Sequence, residues 1–137
     1  MSDAAKLVPK WVRIFVGLLA LANIAFGVSN YFGASALFQN SSAGVDLAGE
    51  AARFASYQFA ARNLAIGLAL LIVANVGVPE TVAIMTIVRA LVELQDSIIS
   101  IVSGNFGVGT IVSMVIFAAE VFVIVTMFKI VGERDKH

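Results

Sequence analysis

Three carboxylates and two guanidinium groups, Glu93, Asp96, Glu120, Arg62 and Arg89, lie inside stretches that otherwise read as lipid-spanning. An ionisable side chain at bilayer mid-depth costs about 2.5–3.5 kcal/mol on insertion scales, so five without partners would cost roughly 12–18. Such groups persist in a span only where they face one another or a wet cavity. Two arginines against three acids leave one excess negative charge in low dielectric. One acid, Glu120 or Glu93, is therefore expected to keep its proton at neutral pH. A neutral carboxyl beside an ion-paired one is what an intramembrane general acid or proton carrier requires.

Spacing places these groups on helix faces. Arg89, Glu93, Asp96, Ser100 and Ser103 recur at i, i+4, i+7, i+11 and i+14, a single face among Ile, Val, Leu and Ala. Upstream, Gln58 and Arg62 share a face, with Asn63 about 100° to the side. Asn23 and Asn30 are seven apart, and Ser113, Glu120 and Met127 line up in the same way. One polar stripe per segment is the pattern of an inward-facing bundle. In the catalytic reading Glu120 or Glu93 is the acid and Asp96 the base or charge partner. Arg62 and Arg89 set their protonation, and Asn23, Gln58 and Asn63 orient a bound molecule. The same residues suit a structural role, because buried Arg–Glu pairs also fix helix register and polar amides bridge helices. Tyr31 and Tyr57 read as interfacial anchors, and Phe15, Phe26, Phe117 and Phe122 as packing or lipid contacts.

The elements that must hold these groups follow from composition and turns. The 137 residues allow one domain. Sixty per cent are hydrophobic and only 13% charged, with a mean hydropathy of +0.96; a soluble domain carries about a quarter charged residues. This is the composition of a polytopic membrane protein, and the fold class expected is all-α, a four-helix transmembrane bundle. The spans read as about 11–30, 51–76, 79–102 and 106–131 within a single membrane domain, each long enough for roughly 30 Å of hydrocarbon. Apolar character runs on from Tyr31 to Phe38, as a longer tilted helix or an interfacial segment. Gly77-Val78-Pro79-Glu80 places Gly after one helix, Pro in the first turn of the next and an acid at its positive end. Ser103-Gly104-Asn105-Phe106-Gly107 makes the other tight turn.

Lys6, Lys10 and Arg13 open the first span, and Lys129, Arg134 and Lys136 close the fourth, so both termini are expected to be cytoplasmic. A cleaved signal peptide is the rival reading of the first segment. Counted from the span ends, Asn23, Arg62, Arg89, Glu93 and Glu120 sit near mid-membrane, and Asp96, Gln58, Asn30, Tyr31 and Tyr57 lie toward the other side. The polar core is thus expected to open away from the cytoplasm and to be closed by apolar residues toward it. Zero net charge offers no surface for nucleic acid. Without cysteine, and with His137 as the only histidine, the chain lacks thiolate and imidazole ligand sets, so neither a metal nor a cofactor is expected. Asn40-Ser41-Ser42 matches a glycosylation sequon, and Gly104 to Gly109 lacks the strand–turn–helix context of a nucleotide loop.

The pairing of Ala61-Arg62-Asn63-Leu64-Ala65-Ile66-Gly67 with Arg89-Ala90-Leu91-Val92-Glu93-Leu94-Gln95-Asp96 resembles small DoxX-like membrane proteins. The resemblance covers about residues 53–131. It implies a four-helix bundle in a cell membrane and, for some relatives, an accessory role in quinone-linked redox complexes. Sterol isomerases and membrane terpene cyclases also bury acids in small bundles, but their characteristic His and Trp positions are missing here. The function expected is binding of a lipophilic small molecule in an intramembrane polar pocket, with isomerase- or cyclase-type acid–base chemistry. The partners expected are the lipid bilayer and that molecule. A non-catalytic subunit of a redox complex and a proton- or cation-coupled transporter are the alternatives. A transport path through four short helices requires a homo-oligomer, for which Ala61, Ala65 and Ala69 offer a small-residue face.

Overall fold

The computed structural model describes residues 6–31, 50–104 and 106–136, without the side chains of 50–53. The described residues form four helices and no strand: α1 (Lys10–Tyr31), α2 (Glu50–Val76), α3 (Pro79–Val102) and α4 (Val108–Arg134). Residues 32–49, which hold the rest of the Tyr31–Phe38 stretch and the Asn40 sequon, lie outside them.

The helix ends show which groups satisfy the last backbone carbonyls. At the end of α2, the Gly77 amide donates to the Val73 carbonyl at 2.8 Å. A Cβ at Gly77 would run into that same carbonyl, which explains the glycine. Arg13 of α1 then donates through Nη1 to the Ala74 and Asn75 carbonyls at 2.8 and 2.9 Å. Three of the last carbonyls of α2, which have no partner within their own helix, are thereby paired. Val78 is extended and Pro79 begins α3, whose Glu80 pairs with Arg134 at the far end of α4. At the other end of α3, Gly104 takes the left-handed conformation (φ +73°) that a side chain would disfavour.

The chain folds as two antiparallel hairpins. α1 packs along α2 and α3 along α4, while the α2–α3 seam is thinner. Small residues set the first contact. A Cβ at Gly67 would lie 2.9 Å from the Ala20 carbonyl oxygen, and one at Gly27 would lie 3.0 Å from that of Ala60. This is the close backbone approach that small residues permit between spanning helices. Gly67→Val is expected to force α1 and α2 apart and cost about 1–3 kcal/mol, read from thermal unfolding in detergent by circular dichroism. Within the chain the close contact thus uses Ala60 and Gly67, whereas Ala61 and Ala65 face outward.

All four helices contribute to one apolar core: Val12 and Val16, Leu70, Val82, Val123 and Met127 are almost wholly buried. These residues occupy the half of the bundle nearest the two chain ends. The buried polar residues Asn23, Asn63, Arg89 and Glu120 lie deeper along each helix. The outer surface carries exposed Ile14, Leu18, Ile72, Leu91, Val115 and Phe122, an apolar exterior of the kind lipid tails cover. Three helices, α1, α2 from Phe54 onward, and α4, are long and apolar enough to cross a membrane. α3 is long enough but carries Glu80, Arg89, Glu93 and Asp96, so its passage depends on what those charges meet.

Candidate functional site

Arg89 is the hub of a buried cluster between α3 and α4. It pairs with Glu93, one turn further along its own helix, through Nη1. The same nitrogen lies 3.6 Å from Oε1 of Glu120 on α4, an ion-pair contact too long for a hydrogen bond. The Ser113 hydroxyl donates to Glu93, and the Ser97 hydroxyl donates to Ser113 at 3.1 Å. Glu93 is thus held by a guanidinium and a hydroxyl. Glu120 differs. It is 0% exposed, and neither carboxyl oxygen has a hydrogen-bond partner. Buried polar atoms are nearly always paired, and one left unpaired calls for an explanation in strain or function.

A second ion pair sits beside this cluster and closes the α2–α3 seam. Nη2 of Arg62 contacts both oxygens of Asp96 at 3.0 and 3.2 Å. The guanidinium carbon stands 4.9 Å above the centre of the Phe59 ring, a cation–π contact. Both side chains are 37% exposed, in contrast to Arg89 and Glu120. The five ionisable groups fall into an inner trio and an outer pair, carried on successive turns of α3. Because Asp96 is half-exposed, Arg62→Met is expected to cost only about 1 kcal/mol, well below a buried pair, in the same unfolding assay.

The amides are divided. Asn23 and Asn63 are buried, but each donates to the carbonyl four residues back, of Leu19 at 2.8 Å and Phe59 at 2.9 Å. Those bonds serve their own helices. Asn30 meets α2 through the Ser56 hydroxyl, 3.4 Å from its carbonyl. Gln58 is exposed, one turn from Arg62 and outside the inner cluster. Tyr31 and Tyr57 are exposed and stack on each other at 5.7 Å. Among the described residues, no group of three or more His, Cys, Asp or Glu is placed to hold a metal ion.

Two participants escaped the sequence pattern. Ser97 falls outside the Ser100 and Ser103 stripe, yet it sits four residues after Glu93, a spacing that does share a face. Arg13 reads in the sequence as a flanking charge and proves to cap α2. A groove lies away from the acids. It holds about 710 Å³ between α1 and α2 near the start of α1, lined by Lys6, Lys10, Arg13, Ile14, Leu18 and Leu71 among others. Comparison with family models, with curated proteins and with solved structures yields no match to this chain.

Proposed function

We propose that the chain is a small integral membrane protein that crosses the membrane four times with both termini cytoplasmic. It binds a lipophilic molecule between its two hairpins and exchanges a proton with it at Glu120. The observation that carries this reading is the Glu120 carboxyl, fully buried and without a hydrogen-bond donor beside an ion-paired Glu93. Arg89 and Glu93 already balance one another, so Glu120 completes a neutral cluster when it holds a proton. Opening of the Arg62–Asp96 pair, half-exposed at the edge of the thin α2–α3 seam, is the route by which a guest reaches the acid. The pairing of every charge on α3 within the span is what supports its passage through lipid. The resemblance to DoxX-like proteins supports the same architecture and membrane setting.

The hydroxyl chain Ser97–Ser113–Glu93 beside Glu120 favours a second reading, in which Glu120 carries protons coupled to transport. The two readings separate on what accompanies the protein. Purified in mild detergent, a lipophile-binding protein should retain one specific apolar compound above the lipid background by mass spectrometry. Recovery of bulk lipid alone, with pH-gradient-driven uptake into proteoliposomes, would instead support the carrier.

A further inference from the structure

The groove between α1 and α2 combines two features that the acid cluster does not use. One end carries Lys6, Lys10 and Arg13, and among the described residues no acid lines it. The rest is apolar and follows α1 through Ile14, Gly17 and Leu18 to Leu21. From Lys10 to Leu21 the helix rises about 16 Å, close to half of a hydrocarbon core of about 30 Å. Positive charge therefore stands at one end of an apolar channel one leaflet deep. Arg13 is anchored there by its bonds to the Ala74 and Asn75 carbonyls, which fixes its charge at the groove edge. Lys6 and Lys10 are both exposed. Gly17 leaves the floor open, since a Cβ there would meet nothing within 4 Å.

We propose that this groove seats an anionic phospholipid, with an acyl chain along Ile14, Gly17, Leu18 and Leu21 and the phosphate against Lys6, Lys10 and Arg13. Basic pockets between spanning helices suit such headgroups, and each lysine near the surface contributes about fivefold to the preference. The inference rests on the membrane reading but not on the chemistry at Glu120. Trp11, the only tryptophan, follows Lys10 and packs against Phe122 of α4 outside the groove lining; it is exposed, and so reports on lipid held close to the charged end of the groove. The test reconstitutes the full chain in phosphatidylcholine vesicles containing equal mole fractions of brominated phosphatidylglycerol or brominated phosphatidylcholine.

Quenching of Trp11 by the brominated anionic lipid should be several-fold more efficient. The preference should fall sharply in Lys6→Gln/Lys10→Gln, which leaves only Arg13 against the phosphate. It should fall in Gly17→Leu, which fills the groove and keeps both lysines. Equal quenching by the two lipids overturns the proposal. So does an undiminished preference in Gly17→Leu, the signature of diffuse attraction to a charged surface. No quenching by either lipid would overturn the membrane reading, and this site with it.

Discussion

Arg89→Met is expected to destabilise the bundle by about 3–5 kcal/mol, more than any other single substitution at the cluster. Methionine replaces the buried length of the side chain and removes its charge. Glu93 then loses its ion pair, and Glu120, 3.6 Å from the same nitrogen, loses its only nearby cation among the described residues. Two acids would remain in low dielectric with a single Ser113 hydroxyl donating to Glu93 and none to Glu120. The penalty arises from stranding charge rather than from the worth of the pair. Accordingly the triple variant Arg89→Met/Glu93→Gln/Glu120→Gln should recover most of the loss. Equilibrium unfolding in detergent checks both. A loss below about 1 kcal/mol in the single variant would show that Arg89 is solvated rather than a hub.

Glu120→Gln is expected to do the opposite, sparing the fold and removing the function. The carboxyl accepts no hydrogen bond, so an amide of the same shape forfeits none, and Arg89 keeps Glu93. The stability change should stay within about 1 kcal/mol, since surviving contacts are unaltered. Losing a general acid lowers a rate by about 10²–10⁴-fold. Incorporation of deuterium from heavy water into the retained lipophile should therefore occur with the native chain and fail with Glu120→Gln. A variant that exchanges deuterium normally would move the chemistry to Glu93 or Asp96. One that unfolds would make Glu120 a structural group.

The four helices were legible because the signals that define them are local. Gly77 and Pro79 mark one turn, Gly104 the other, and the apolar runs between them have spanning length. The stripe from Arg89 through Glu93 to Asp96 was legible for the same reason, since periodicity alone places those residues on one face. Partner choice was not. Spacing puts Glu93 within reach of Arg89, but nothing in it says that Arg89 also takes Glu120 while Arg62 takes Asp96, because that depends on how the helices are rotated about their axes. Rotation is set by long-range packing such as Gly67 against the Ala20 carbonyl. It also decides that Gln58 faces outward while Arg62, one turn along, turns toward α3. Asn23 and Asn63 could have bonded across helices or back along their own, and the packed bundle selects the second.

Labelling with the hydrophobic reagent dicyclohexylcarbodiimide tests Glu120 most directly, because that reagent modifies protonated carboxyls reached from the apolar phase. Peptide mapping of protein treated in membranes should find the adduct on Glu120, ahead of the ion-paired Glu93 and Asp96 and absent with a water-soluble carbodiimide. An unmodified Glu120, or equal labelling of all three acids, would contradict a neutral carboxyl set aside within the bundle.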